Sequence, residues 1–153
     1  MLEDYNIQPF SLDLYPLMRK LFLSAFETEL SYEVFIKKYD TKNLGHRVIG
    51  FLAIDKLTNE PAAYYGVFPL TLLIRGEKKL AAQSGDTMTH KNHRKKGLFV
   101  QLAKITFEEC RAKGFVMIFG QPNASSRHGL INSLKFLHLD DVNRYDLKLK
   151  IKT

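Results

Sequence analysis

A chain of 153 residues, of which 45% are hydrophobic and 12% aromatic, is long enough to form a single globular domain with its own core. It contains no run of the roughly 18 apolar residues that a membrane span needs, and its first residues lack the basic start and apolar run of a secretory signal, so we expect a cytoplasmic protein. Lys and Arg total 23 against 16 Asp and Glu, and the formal charge of +7 favours an anionic partner, either a nucleic acid or a nucleotide cofactor. The one cysteine, Cys110, excludes an internal disulfide and is expected to be a buried thiol.

The N-terminal part of the chain predicts a short strand and two helices. The strand is predicted over residues 5–8. Apolar residues three and four apart then predict a helix over residues 14–26 with one buried face. Asp13 is its predicted N-cap, and Pro16 lies in its first turn, where the missing N–H of proline has no cost. A second, shorter helix is predicted after Ser31.

The middle of the chain predicts three antiparallel strands, because its apolar residues change from helical to strand-like spacing. The first covers residues 48–54, and a turn around Thr58 and Asn59 leads to a long strand over residues 62–74 that is interrupted near Pro69. A further turn leads to a strand over residues 80–89.

The most informative segment runs from Ser84 to Phe99, where a strand leads through a cluster of cations and one glycine into an amphipathic helix. A helix start exposes backbone N–H groups without intrahelical partners and carries partial positive charge, so it is suited to bind a phosphate. Gly97 would let the backbone approach such a ligand closely. The helix is predicted to end at Gly114, and a buried strand over residues 115–119 follows, so this strand and the strand over 80–89 are expected to be parallel neighbours.

The C-terminal part predicts one more helix and one more strand. Residues 121–123 end the parallel strand, and a helix is predicted from Ser126 to Leu134. Lys148, Lys150 and Lys152 alternate with apolar residues, which predicts a last strand over residues 146–152 with one solvated face.

With this order of elements, the chain resembles the GNAT N-acetyltransferase superfamily over nearly its whole length. The pyrophosphate signature of the superfamily is Gln or Arg, two free positions, Gly, one free position, then Gly or Ala, and Arg94-Lys95-Lys96-Gly97-Leu98-Phe99 matches it except at Phe99. We expect Phe99 to pack inward. The segment from Gln121 to Ser126 is similar to an element of the branch that includes Eis-like and polysaccharide-associated acetyltransferases.

The resemblance implies an α+β fold with α/β/α layers, in which the sheet is mixed and mostly antiparallel and a central parallel strand pair splays apart at the cofactor site. It implies acetyl-coenzyme A as the acetyl donor and no metal. The residues that it assigns to cofactor binding are Thr87, Met88 and Thr89 on the strand, Arg94, Lys95, Lys96, Gly97, Leu98, Phe99 and Val100 at the helix start, and Asn123 and Ser126 beyond the parallel strand.

The catalytic residues are less well defined by the sequence. A backbone N–H of Met88 or Thr89 is the candidate donor to the thioester carbonyl. Asp86 is a candidate general base that would act through a water, and a turn or cap carboxylate is the alternative interpretation of the same residue. His90 and His93 have a suitable ordinary pKa but fit a solvated loop.

The general acid usual in this family is missing from its expected place. A tyrosine on the last helix, four residues before a Gly-aromatic pair, commonly donates that proton, and here the position is Ile131. Arg127, His128 and Tyr145 are candidate substitutes that spacing does not separate, and a thiolate can also leave without a protein acid.

The expected function is transfer of an acetyl group from acetyl-coenzyme A to a primary amine by direct attack in a ternary complex, with no role for nucleic acid or a membrane. A non-catalytic acyl-coenzyme A sensor or scaffold and a nucleic-acid-binding module are the alternatives. The acceptor is a small molecule or a protein, with Tyr64 and Tyr65 near its pocket, and the sequence does not identify it. A homodimer is left open.

Overall fold

The computed structural model describes residues 2–142, and the predicted last strand over 146–152 and Tyr145 lie outside these residues. Backbone proximity separates two compact units, residues 1–120 and residues 121–153. The single domain predicted over residues 1–153 stays a prediction. Within the described residues no helix is both long and apolar enough to cross a membrane.

The first unit is built on a five-stranded sheet with helices on both faces. Its strands follow one another in chain order, and they are β1 Tyr5–Pro9, β2 Ile49–Asp55, β3 Pro61–Ile74, β4 Glu77–Thr89 and β5 Met117–Gly120. Strands β1 to β4 pair antiparallel, whereas β4 and β5 are parallel. The predicted mixed, mostly antiparallel sheet with one parallel pair is confirmed.

Helices α1 Tyr15–Phe26 and α2 Tyr32–Tyr39 precede β2, and α3 Leu98–Ala112 connects β4 to β5. One core cluster joins α1 and α2 to β2, β3 and β4, and its aromatic members include Phe35, Tyr39 and Tyr64, each at most 2% exposed. On the other face, Leu98, Leu102 and Ala103 of α3 are buried, as are Ala53 of β2 and Ala63 of β3. Apolar spacing in the helices therefore predicts most of the buried faces correctly, but Phe26 at the end of α1 and Tyr32 at the start of α2, which the spacing also includes, are 41% and 60% exposed.

The start of α1 differs from the prediction. Residues Leu12–Leu14 form a 3-10 turn, and the N-cap of α1 is Leu14, with no side-chain hydrogen bond. Asp13 thus lies inside the preceding turn and does not cap the helix. Pro16 lies in the first turn of α1, as predicted, and Ser31 caps α2 by accepting a hydrogen bond from the N–H of Val34 at 3.3 Å.

Strand β3 is not interrupted at Pro69, contrary to the prediction. Pro69 lies opposite Ala82 in a continuous ladder with β4, and the register shift occurs instead between Tyr64 and Gly66. Beyond Val67, β3 has no partner on its β2 side among the described residues. A proline at residue 69 therefore removes no hydrogen bond between β2 and β3, and the strand tolerates it.

The parallel strand and the last helix also have other boundaries than predicted. Strand β5 starts only at Met117, which is 41% exposed, so the predicted buried strand over 115–119 is wrong in its start and in its burial. Phe115 is still tied to the end of α3, because its N–H donates to the Cys110 carbonyl at 3.0 Å. Cys110 itself is buried, as predicted, and burial raises the pKa of its thiol to about 11.

The second unit contains the short helix α4 Ala124–His128, which continues as a π-helical turn Gly129–Ser133. The sequence predicts a start at Ser126. The helix begins earlier because the side-chain oxygen of Asn123 accepts hydrogen bonds from the N–H groups of Ser125 and Ser126, both at 3.0 Å.

Candidate active site

Strand β4 loses its parallel neighbour halfway along its length. The pairs between β4 and β5 run from Ala81 with Met117 to Ser84 with Gly120 and stop there. Directly after this point the register of β4 against β3 shifts, since Gly85 lies opposite Gly66 but Met88 lies opposite Tyr64. Two residues of β4, Asp86 and Thr87, therefore face one residue of β3, which is the geometry of a β-bulge.

The backbone of β4 beyond the bulge has one free edge among the described residues. The N–H of His90 donates to the carbonyl of Ala62 at 2.8 Å, and Thr89 lies opposite Ala63. Because backbone groups of an antiparallel strand point alternately to either side, the N–H of Thr89 points away from β3 and the N–H of Met88 points toward it. Of the two candidate donors, this alternation favours Thr89.

The bulge residue Asp86 has a left-handed backbone and a partly buried carboxylate. Its φ is 52°, a conformation that Asp tolerates better than most residues, and its side chain is 17% exposed. Oδ2 accepts a hydrogen bond from the hydroxyl of Tyr39 at 2.8 Å and forms an ion pair with Nζ of Lys38 at 2.6 Å. Oδ1 has no hydrogen-bond partner within residues 2–142, so one oxygen of this carboxylate is available.

Tyr39 is fixed as a donor to Asp86. Its side chain is buried in the aromatic cluster of the first unit. Burial, and next the negative charge of Asp86, raise the pKa of the Tyr39 hydroxyl far above its ordinary value. The hydroxyl therefore stays protonated and keeps Oδ2 of Asp86 in place. In this part of the chain the sequence predicts only a helix after Ser31, so it predicts neither this contact nor that of Lys38.

A loop rich in cations leads from β4 to α3. Lys91–His93 form a 3-10 turn, Arg94 is extended, and both Lys95 and Gly97 have left-handed backbones with φ of 62° and 71°. Arg94, Lys95 and Lys96 are exposed, and among residues 2–142 no carboxylate lies within ion-pair distance of them. The loop thus presents three cations to solvent at a helix start.

The start of α3 fits a phosphate-containing ligand. Gly97 is the N-cap of α3, and no side chain caps the helix. The first intrahelical bond runs from the N–H of Gln101 to the carbonyl of Gly97, so the N–H groups of Leu98, Phe99 and Val100 have no partner within the helix. A Cβ built on Gly97 meets nothing within 4 Å, so the space beside these amides is open. Backbone donors, open space and cations together suit a pyrophosphate.

The loop is tied to the sheet by His93. Nδ1 of His93 lies 2.9 Å from the hydroxyl of Tyr5 on β1 and 4.0 Å from Oδ2 of Asp55. Burial, and next the positive charge of Lys96, lower the pKa of His93. Nδ1 of His90 accepts a hydrogen bond from the N–H of Asn92 at 3.2 Å. Both histidines hold the loop, but His93, whose side chain is only 14% exposed, is not the solvated residue that the sequence predicts.

Phe99 packs inward, as predicted. Its ring lies edge-on to Tyr65 with 5.5 Å between centroids, and the Tyr65 hydroxyl is 2.8 Å from Oγ of Ser84. The bulky residue at this place in the signature therefore fills the space under the helix start, on the sheet side of the amides.

The second unit holds four of the other predicted residues. Asn123 caps α4 and Ser126 lies in that cap, with its Oγ 3.1 Å from Oδ1 of Asn123. His128 is exposed and lies 2.9 Å from Nδ2 of Asn132. Arg127 forms an ion pair with Asp141 at 3.2 Å. The cofactor and acid roles assigned to these residues stay predictions.

Comparison with protein families gives one match, and comparison with curated sequences gives none. The sequence profile described as Acetyltransferase (GNAT) domain matches residues 6–130. This range includes β4, the loop and α3. No curated protein sequence matches the chain.

Solved structures share the fold at low sequence identity. An acetyltransferase from Trypanosoma brucei superposes with a TM-score of 0.74 at 16% identity, over 94% of this chain and 100% of that one. Glucosamine-6-phosphate N-acetyltransferase from Arabidopsis thaliana gives 0.72 at 12% identity, over 92% and 97% of the two chains. An aminoglycoside acetyltransferase from an uncultured soil metagenomic sample, in complex with trehalose, gives 0.72 at 20% identity, over 97% and 98%.

Proposed function

Because the chain belongs to the GNAT acetyltransferase family, we propose that it transfers an acetyl group from acetyl-coenzyme A to a primary amine by direct attack in a ternary complex. The observation that carries the proposal is the edge of β4 that has no strand partner within residues 2–142, and that leads within a few residues to the open start of α3. An edge of this kind can hold an extended acyl chain by its main chain, and the helix start can hold the phosphates at the end of that chain.

Acetyl-coenzyme A would supply the acetyl group as a thioester, and the first unit offers it two kinds of contact. The N–H groups of Leu98, Phe99 and Val100 would bind the pyrophosphate, and the side chains of Arg94 and Lys96 would add charge-assisted hydrogen bonds. The free main-chain groups of Thr87 and Thr89 would hold the pantetheine arm. This division leaves most of the phosphate binding to backbone amides, so it does not depend on which cation supplements them.

Two groups on β4 would act on the reacting atoms. The N–H of Thr89 would donate to the thioester carbonyl oxygen, where negative charge develops during attack. The carboxylate of Asp86 would take up the proton of the acceptor amine, directly or through a water bound to Oδ1. Tyr39 would position this carboxylate by holding Oδ2.

The departing sulfur needs less help than the attacking nitrogen. A thiol has an ordinary pKa near 8.5, so a thiolate is a good leaving group and a protein acid is not required. The absence of tyrosine at Ile131 is compatible with such a reaction. The same absence is what favours the second candidate function, a sensor that binds acyl-coenzyme A without turnover.

The acceptor is proposed only as a class. The solved structures with this fold include an aminoglycoside acetyltransferase and a glucosamine-6-phosphate N-acetyltransferase, both named for amines carried on sugars. An amino sugar and an aminoglycoside therefore belong in any panel of acceptors, beside a polyamine and a lysine peptide.

Calorimetric titration with acetyl-coenzyme A, followed by thiol release across this panel, tests the proposal. Donor binding with release of free thiol on at least one amine is the expected result. Donor binding without turnover on any amine would favour the sensor. No donor binding, together with tight and salt-sensitive binding of RNA or DNA, would overturn both and favour a nucleic-acid-binding module.

A further inference from the structure

Asp86, the candidate base, forms an ion pair with a primary amine of the protein itself. Lys38 on α2 places Nζ 2.6 Å from Oδ2 of Asp86. This contact joins a helix residue to the β-bulge, and it puts an alkyl ammonium group on the carboxylate proposed to take a proton from the acceptor. We propose that Lys38 is a self-acetylation site, which rests on the proposed function.

The neighbouring lysine shows what distinguishes this contact. Lys37 also forms an ion pair at 2.6 Å, with Glu33 one turn earlier on α2. Both side chains of that pair are about three-quarters exposed, at 74% and 76%, whereas Asp86 is only 17% exposed. The two adjacent lysines thus have the same chemistry and the same ion-pair distance, but only Lys38 contacts the strand of the candidate site.

Lys38 is also able to move toward a reacting group. Its side chain is 43% exposed, so its flexible four-carbon stem is not enclosed on all sides. Asp86 directly precedes Thr87 and precedes Thr89 by three residues, which is at most about 10 Å along an extended strand. Self-acetylation therefore requires Nζ to leave Oδ2 and to move by up to this distance along β4 toward the N–H of Thr89.

The reaction balances without any further reagent. Nζ of Lys38 gives one proton to Asp86 and attacks the carbonyl carbon of the donor thioester, so that a C–N bond forms and the C–S bond breaks. The sulfur leaves as a thiolate and takes up a proton, and the amide nitrogen loses its remaining extra proton to solvent. The products are acetyl-Lys38 and free coenzyme A. Acetylation removes the ammonium charge, so Asp86 loses its counter-ion.

Mass spectrometry of the protein after incubation with acetyl-coenzyme A and no acceptor tests the inference. We expect acetylation at Lys38 at least about tenfold faster than at Lys37, a ratio that corresponds to about 1.4 kcal/mol in activation free energy. At a saturating concentration of the donor, the reaction should be first order in protein, with a rate constant that does not depend on protein concentration. Heat-denatured protein should show equal, slow modification of both lysines, which measures purely chemical acetylation.

Variants separate the roles of the groups involved. Lys38→Arg keeps the positive charge but offers a guanidinium that stays protonated, and it should lose the modification. Lys37→Arg should leave acetylation at Lys38 unchanged. Asp86→Asn should slow acetylation of Lys38 to the rate seen at Lys37.

The failure of this inference differs from the failure of the proposed function. Equal rates at Lys37 and Lys38 in the folded protein, or no acetylation of Lys38 while an amine of the panel is turned over, would overturn self-acetylation and leave the transferase intact. No modification and no turnover, despite donor binding, would overturn both.

Discussion

Strand β4 contains two regions that differ in how their backbone is used. In the paired segment, Ala81–Ser84, each residue has a strand partner on both sides, and Ala81 and Ala82 are fully buried. In the open segment, residues 86–97, β4 has a partner on one side only within the described part of the chain, and after Thr89 the chain leaves the sheet and leads to the start of α3. The same strand thus contributes a fully bonded centre to the sheet and, a few residues later, a free edge.

In the proposed site, the sheet's hydrogen bonds end at a defined point of β4. Buried backbone N–H and C=O groups need partners, so a central strand can leave them free only where its neighbour diverges. Here the last pair of β4 with β5, Ser84 with Gly120, lies just before the bulge residue Asp86, whose carboxylate contacts Tyr39 and Lys38. Substitutions in the open segment should therefore change binding or turnover, and substitutions in the paired segment should change stability.

The largest effect is expected for Asp86→Asn. Asn tolerates the left-handed backbone of this residue as well as Asp does, so the fold should persist. Loss of the base should lower kcat by roughly 10²- to 10⁴-fold with the donor dissociation constant unchanged, as measured by thiol release and calorimetry. Asp40→Asn, which removes another partly exposed carboxylate that pairs with Lys42, is the control. A folded, donor-binding Asp86→Asn variant with normal turnover across pH would eliminate Asp86 as the base.

A pair of proline substitutions tests which amide of β4 faces the donor. Thr89→Pro removes an N–H that points to the free edge, so no ladder bond to β3 is lost and the protein should fold. Its kcat should fall by about 10²- to 10³-fold, the usual effect of removing one donor to a developing oxyanion. Met88→Pro removes an N–H that points to β3 and should lower the melting temperature instead. Normal turnover in folded Thr89→Pro would exclude this amide as the donor.

Gly97→Glu tests the helix start as the phosphate site. It adds charge and bulk to open space beside three free amides, and we expect donor affinity to weaken at least about 100-fold, or about 2.7 kcal/mol. Gly114→Glu is the matched control, since Gly114 lies at the other end of the same helix with φ of 80° and equally open surroundings. Both variants carry the same backbone strain, so a loss shared by both, or by neither, would contradict the assignment.

Local patterns in the sequence predict the elements of this comparison well. Helix α3 is defined by signals within one short segment, namely its apolar spacing, Gly97 before it and Gly114 after it. The same segment predicts that the strands on either side of the helix, β4 and β5, are parallel neighbours. The inward packing of Phe99 follows from the same spacing. The position of the helix start can therefore be predicted from the sequence alone, and its role as a binding site stays a prediction.

The partners of Asp86 cannot be predicted in this way. Tyr39 lies 47 residues from Asp86 in sequence, and the contact depends on how α2 packs on the sheet. The bulge itself depends on the register of β3 against β4, which a single strand's sequence does not encode. For the same reason the sequence wrongly predicts a break at Pro69, because tolerance of this proline depends on where β2 stops pairing with β3.

In the paired segment, Ser84→Ala should change stability and leave turnover unchanged. It removes the hydrogen bond between Ser84 and the buried hydroxyl of Tyr65, whose pKa burial raises to about 12. A buried hydroxyl without a partner costs about 1–3 kcal/mol, whereas removing both partners can be nearly neutral. Urea unfolding of Ser84→Ala, Tyr65→Phe and the double variant measures the free energy that the unpaired Tyr65 hydroxyl costs. A double variant less stable than Ser84→Ala alone would contradict the argument, and a fall in kcat would contradict the division of β4.

The smallest effect concerns the pH dependence of the loop anchor at His93. Burial and Lys96 lower the pKa of His93 in the folded protein. As the pH falls below the ordinary value of 6.5, His93 is therefore protonated in the unfolded chain before it is protonated in the folded protein. The stability contributed by neutral His93 is therefore present above about pH 6.5 and is lost as the pH falls through the lower, folded-state pKa. His93→Gln stays neutral at every pH and keeps a group that can bond to Tyr5. Urea unfolding at a series of pH values should show a smaller loss of stability on acidification for His93→Gln than for the parent protein, with His128→Gln, at an exposed histidine, as control. An equal loss in all three proteins would show that the anchor of the open segment does not titrate in this range.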